Sequence, residues 1–212
     1  ALRDIPGVVI ACPSRGDDAV EMMRTCVAMA RVDGRVVLFL EPIALYMTRD
    51  LHEPGDGLWL TSYPPPGHAM EPGSPRLYES ETPHDLVVFT FGNGVPLSLK
   101  AARNLADEGI SARVVDLRWL APLNETRIRE EATQAGRVLV VDEGRRTGGL
   151  SEAILTTLVE GGLGPIPTAR VVGADTFIPL GDAWEHVLPS VASIEEAARA
   201  LTARPAIKEG GP

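Results

Sequence analysis

The chain has 212 residues, 44% hydrophobic and 23% charged, a length that gives one or two domains with their own cores and a balance typical of globular proteins. Nothing approaches the roughly 18 consecutive apolar residues of a membrane-spanning helix, so a membrane partner is not expected. The net charge of −9 with scattered Lys and Arg repels phosphate backbones, so a nucleic-acid partner is not expected either.

The opening stretch "ALRDIPGVVIACPS" lacks the basic segment and long apolar core of a signal peptide. Cys12 and Cys26 show neither CxxC nor Cys/His metal spacing. They read as buried free thiols of a reducing, cytoplasmic protein.

The first apolar run, "GVVIACPS" at 7–14, predicts a buried strand ended by Pro13 and Ser14. Residues 16–34 predict a helix whose stripe is Val20, Met23, Val27 and Ala30, with Asp17 and Asp18 at its positive end. "RVVLFLEP" at 35–42 predicts a second strand, completing a βαβ unit with parallel strands. Both strands are apolar on both faces, the pattern of a sheet covered from two sides. About fifty residues supply too little surface for that. The unit therefore needs a larger sheet.

Residues 50–84 are rich in Pro and Gly, and "YPPPG" suits neither a helix nor an inner strand. This stretch predicts an extended linker that Trp59, Leu60 and Tyr63 staple to a surface.

From residue 85 strands and helices alternate about every 25 residues. Strands are predicted at 85–91, 110–120, 137–143 and 168–174, and helices at 96–109, 125–136 and 149–162. Pro96 lies in a first turn, Asn124 is placed as a cap, and Gly109 and Gly136 act as stops. Helical segments at 182–190 and 193–204 follow, and a frayed tail closes the chain. The fold class is α/β, with a mostly parallel sheet and helices on both faces.

Two glycine turns precede helices, where free N–H groups favour anions. One is "FGNG" at 91–94; the other lies in "VVDEGRRTGGLSEAI" at 140–154. Neither matches GxxxxGK[ST] or GxGxxG. In the second, Asp142 and Glu143 oppose a phosphate, and their pairing with Arg145 or Arg146 is the plainer role. The four histidines show no HxxxH or HExxH spacing, and no GxSxG elbow is present. Glu41, Asp116, Asp142, Glu143 and Asp175 are acid–base candidates that sequence cannot rank. No self-sufficient catalytic set emerges, and no catalytic or cofactor-binding residue is assigned.

Five stretches in order carry a resemblance: "IPGVVIACPSRGDDAVEMM", "RVVLFLEPIALY", "ARVVDLRWLAPLNETRI", "VLVVDEGRRTGGLSEAI" and "RVVGADTFIPLGDAWEHVLPS". Together they resemble the carboxyl-terminal part of the β subunit of thiamine-diphosphate-dependent 2-oxo acid dehydrogenase first components, of the pyruvate and branched-chain type. Transketolases share that architecture. The resemblance implies a layout: residues 1–48 end a pyrimidine-binding α/β domain whose other strands lie before Ala1, and 49–84 are a linker. Residues 85–204 form a three-layer α/β/α domain of the transketolase carboxyl-terminal type, and 205–212 a tail.

The resemblance also implies that thiamine diphosphate and Mg²⁺ serve the complete enzyme and bind elsewhere, with no cofactor held by this chain alone. It implies a homo-oligomer or an α/β heterotetramer, docked to a lipoyl acyltransferase core. Residue by residue it gives Arg118 a pairing or interface position, matches Glu143 to an "E…GG" stretch and Asp175 to a "G.D..P" stretch, and puts Asp33 in a loop that binds a monovalent cation in some relatives; Glu143, Arg145, Arg146 and Asp175 are read with Arg118 as interface candidates. Arg35–Val36 stands where relatives often have Asn-Pro, a departure at that loop. The rival readings are a free-standing interaction or regulatory module of the same fold, and a small nucleotide-binding α/β protein.

Overall fold

The computed structural model describes residues 2–78, 83–163 and 165–206. Most of the expected tail, and the end of the expected linker at 79–82, lie outside the described residues. The chain divides into two compact units. One gathers Ala1–Arg76, Phe91–Asn93 and Asp116–Asn124; the other gathers Leu77–Thr90, Gly94–Val115 and Glu125–Pro212.

The first unit is built on a three-stranded sheet. Strand β1 (Val9–Ala11) pairs in parallel with β2 (Val37–Phe39). Helix α1 (Gly16–Val32) connects them, as the βαβ pattern predicts. The third strand of this sheet comes from far along the chain and runs antiparallel to β1.

The apolar stripe expected of α1 is not its buried face. Met22, Thr25 and Cys26 are buried, whereas Met23 and Val27 are 38% and 45% exposed. Polar contacts set the rotation of the helix. The Thr25 hydroxyl donates to the Met70 carbonyl at 2.5 Å and accepts from the Met70 N–H at 3.1 Å, and Asp18 meets an arginine described below. Met22 and Cys26 then join Val9, Ala11, Met70 and Trp119 in one core. Burial pushes the Cys26 thiol up to about 11, and both cysteines are buried and in no disulfide among the described residues.

The Pro/Gly-rich stretch is ordered around two carboxylates. Asp56 accepts backbone N–H groups from Leu51, His52, Glu53 and Leu58, and Asp50 accepts from Gly55 and Gly57. Those bonds hold Asp56 well below the usual carboxylate range, although burial acts the other way. Of the three expected staples, Trp59 is buried, while Leu60 and Tyr63 are exposed. Arg76–Tyr78, inside the expected linker, forms a short strand, β3.

The second unit carries most of a five-stranded sheet. Its strands are β3, β4 (Leu86–Thr90), β5 (Ala112–Asp116), β7 (Val138–Arg145) and β8 (Thr168–Gly173), in the order β3-β5-β4-β7-β8. β4, β7 and β8 are mutually parallel. Helices α2 (Gly94–Asp107) and α5 (Val191–Thr202) pack together on one face; α3 (Glu125–Ala135) and α4 (Leu150–Glu160) pack together on the other. Strand alternation divides the core accordingly. Leu86, Val88, Leu139 and Val141 meet Leu105, Ile194 and Leu201. This is the three-layer, mostly parallel α/β architecture that the alternation of elements predicts.

Three boundaries differ from the sequence pattern. Helix α2 starts at Gly94 rather than Pro96. A Cβ on Gly94 would collide with Thr90 Oγ1 and lie 3.5 Å from Val141, so glycine permits close helix–strand packing. The predicted 182–190 helix is a 3₁₀ turn at Gly181–His186. The strand predicted at 110–120 is two strands, because Arg118 adopts φ +57 between β5 and β6 (Trp119–Ala121). That left-handed backbone, unfavourable for a Cβ-bearing residue, sends β6 to pair with β1.

Candidate functional site

The turn after β7 settles what "EGRRTGGL" does. Asp142 is buried and both its oxygens are engaged: Oδ1 accepts from Gly144 N–H at 2.7 Å and Oδ2 from Ser151 N–H at 2.9 Å. Glu152 accepts from Gly148 N–H at 2.9 Å. The positive end of α4 is therefore neutralised by the chain's own carboxylates, the arrangement that otherwise draws an external anion. Gly149 fits because a Cβ there would stand 2.8 Å from the Arg145 carbonyl and 2.9 Å from Asp142 Oδ2.

Asp175 closes the same turn from the end of β8. It accepts from Thr147 Oγ1 at 2.7 Å and Thr147 N–H at 3.0 Å. Those bonds, helped by the nearby Arg145 and Arg146 charges, hold its carboxyl below the usual range. Arg145 and Arg146 are exposed and form no ion pair among the described residues. The pairing expected with Asp142 does not form, because backbone amides already fill that carboxylate. Glu143 is half-buried beside them. In the same unit Phe177 and Leu180 are each 95% exposed, and Ile178 and Trp184 are exposed as well.

Arg118 stands elsewhere, in the first unit, and it is buried. Its Nη1 donates to Asp18 Oδ1 at 2.7 Å, and its Nε and Nη2 donate to the Ser74 carbonyl at 3.1 and 3.0 Å. Arg76 adds a second cation, 2.9 Å from Asp17 and 3.4 Å from Asp18. The Arg118 carbonyl accepts from Cys12 N–H at 2.7 Å. Asp18 is fully buried, and burial raises its carboxyl even though both arginines pull it down. Sequence reasoning gave Asp18 only a helix-terminus role. Its partner lies 100 positions away, and no local pattern signals that.

Asp33 is not brought together with these groups. It is the exposed residue closing α1, its N–H donating to the Met29 carbonyl at 3.1 Å. A cavity of about 650 Å³ in the first unit lies beside the start of α1. Within it Arg15 stacks 5.1 Å from the Trp59 ring and lies 3.6 Å from Asp17, and the Tyr46 hydroxyl donates to Glu41. Among the described residues no three or more His, Cys, Asp or Glu side chains gather to hold a metal ion. No helix among the described residues is long and apolar enough to cross a membrane.

A three-layer α/β/α unit with parallel β4, β7 and β8 and a self-sealed glycine turn defines a domain of the transketolase carboxyl-terminal class. The chain belongs to that family: the model described as "Transketolase, C-terminal domain" matches residues 78–194. The chain is 30% identical over 196 residues to the pyruvate dehydrogenase E1 component subunit beta of Bacillus subtilis (strain 168), covering 92% of this chain and 55% of that one. It is 28% identical over 198 residues to the mitochondrial subunit beta-1 of Arabidopsis thaliana, covering 92% and 51%. A 1-deoxy-D-xylulose-5-phosphate synthase of Gloeobacter violaceus is 32% identical over 180 residues, covering 84% and 25%. The chain thus spans about half the length of the E1 beta subunits it matches. A solved structure described as a split gene transketolase, inactive beta4 tetramer, superposes with TM-score 0.73 at 23% identity, covering 95% of this chain and 59% of that one. That likeness concerns the fold alone.

Proposed function

We propose that this chain is the carboxyl-terminal portion of a thiamine-diphosphate-dependent 2-oxo acid dehydrogenase component, decarboxylating and acyl-transferring as a whole. The chain serves dimerisation and scaffolding and is inactive by itself. Similarity to E1 beta subunits along 92% of the chain supports the enzyme class. The observation that carries the scaffolding role is the surface of the second unit. Arg145 and Arg146, without an ion pair among the described residues, share that unit with exposed Phe177, Ile178, Leu180 and Trp184. Exposed large apolar groups with charge in the same unit mark partner surfaces. Glu143, Arg145, Arg146 and Asp175 are the interface residues of this reading.

In the complete enzyme the thiamine cofactor supplies the carbanion chemistry, and the protein supplies position and a dry site. The α/β heterotetramer or homo-oligomer and the lipoyl acyltransferase core are the partners this reading assigns. The test is to assemble the complete component with the Phe177→Ser/Leu180→Ser double variant. Sedimentation should show weakened subunit association, while thiamine diphosphate binding per folded active site is kept. Unchanged association with impaired cofactor binding would overturn the scaffolding role. A chain that self-associates but never supports 2-oxo acid turnover with any α subunit would instead be an interaction module.

A further inference from the structure

Beside the Asp18–Arg118 pair lies a second buried carboxyl, Asp116, fully excluded from solvent. Its Oδ1 accepts the Arg118 backbone N–H, at 3.2 Å. Among the described residues neither its Oδ2 nor the buried Ser14 hydroxyl makes a hydrogen bond of good geometry, although Ser14 stands near enough to pull the carboxyl down as a donor. The groups facing Asp116 are Ser14 from the loop after β1, Asp18 from α1, and Arg118 from its own segment.

Every guanidinium of the cluster is directed elsewhere. Arg118 serves Asp18 and the Ser74 carbonyl, Arg76 serves Asp17 and Asp18, and Arg15 serves Asp17 and Trp59. Asp116 thus has a like charge for a neighbour and no cation within ion-pair distance among the described residues. An ionised carboxylate buried on those terms is strongly disfavoured.

We propose that Asp116 is a proton-controlled latch on the segment Asp116–Asn124 of the first unit. As a neutral acid it holds the left-handed Arg118 turn through Oδ1 and donates its proton from Oδ2 toward Ser14 Oγ. On ionisation the proton passes to solvent, a second buried carboxylate competes with Asp18 for the Arg118 guanidinium, and β6 loosens from β1.

Burial first, then the Asp18 charge, pushes the Asp116 carboxyl up to about 7, against the pull of Ser14 and Arg118. The sign follows from proton linkage. The native state holds a proton that the unfolded state, with a carboxyl near 3.8, has released. The stabilisation is complete below the unfolded value and is lost as pH rises through 7.

The test uses hydrogen exchange in the full chain, corrected for intrinsic rates. Opening at Cys12, whose N–H donates to Arg118, and at the β6 amides should increase about tenfold between pH 6 and 8, the factor a single group titrating near 7 supplies. Asp116→Asn keeps the Oδ1 acceptor and replaces the acid proton with an amide donor. It should abolish the pH dependence while retaining protection. Protection in the parent chain that does not change with pH, or an Asn variant that keeps the tenfold change, would overturn the proposal. Should that variant fail to fold, the carboxyl ¹³C shift of Asp116 in the parent chain decides. A transition near pH 7 supports the latch, and one below pH 5 refutes it.

Discussion

Two places in this molecule combine aspartates with arginines and use them in opposite ways. In the first unit Arg118 and Asp18 are buried and bonded to each other at 2.7 Å. In the second, Asp142 and Asp175 bind backbone amides and a threonine, leaving Arg145 and Arg146 exposed. Removing a partner from a buried pair strands a charge in a low-dielectric interior. Removing an exposed arginine strands nothing. The same residue types are therefore structural in one place and available to a partner in the other. Burial, not composition, makes the difference.

The sharpest way to break this contrast is Arg118→Met. It leaves the buried Asp18 carboxylate with only Arg76 at 3.4 Å, frees the Ser74 carbonyl, and should cost about 3–5 kcal/mol in urea unfolding. The double variant Arg118→Met/Asp18→Leu removes both charges and should recover a large part of that loss, since matched apolar replacement of a buried pair is often near neutral. A loss below about 1 kcal/mol for the single variant, the range of exposed pairs, would place Arg118 in the same class as the surface arginines.

Asp142→Ala comes next. It strips the acceptor from Gly144 and Ser151 and leaves the α4 terminus uncapped, at a cost of about 1–3 kcal/mol. It also opens the glycine turn to external anions. Sulfate should then stabilise the variant more than the parent in thermal unfolding. Equal sulfate response in both would mean the turn was never a latent anion site.

Asp175 sharpens the comparison by pH. Its native carboxyl lies below its unfolded value of 3.8, so its stabilisation is present above that value and is lost as pH falls through the native one. Asp175→Asn should flatten the acid limb of the 145–149 turn, read as Thr147 amide exchange between pH 5 and 2.5. Asp116 runs the other way, weakening its segment as pH rises. Opposite limbs from two aspartates of one chain would be a direct signature of their surroundings.

Much of the second unit was legible in the sequence because its signals are local. Strands of continuous apolar residues, Pro96 in a first turn and Gly109 after a helix each act within a few residues. What was not legible depends on distance. The stripe of α1 was misread because Thr25 pairs with Met70, and Asp18 with Arg118, 45 and 100 positions away. The strand at 110–120 broke because an arginine takes up φ +57, which is tolerated only where the surrounding bonds hold it. At the glycine turn, sequence alone ranked carboxylate–arginine pairing first. It could not show that the Asp142 oxygens point back at Gly144 and Ser151.

The smallest effect on stability should come from Arg145→Glu and Arg146→Glu. Both side chains are exposed and free of ion pairs among the described residues, so unfolding should change by no more than about 0.5 kcal/mol. Because the unpaired charges face solvent, reversal acts on what they meet rather than on what holds them. Subunit association in the complete component should weaken, with a salt dependence smaller than that of the parent, since a screened attraction has been removed. Arg170, which donates to the Arg146 carbonyl and to Ser151, is the internal control: its replacement should disturb the turn itself. If Arg145→Glu and Arg146→Glu lower stability as much as Arg170→Ala while leaving association intact, the arginines of the second unit are structural after all. The contrast with Arg118 would then be one of degree.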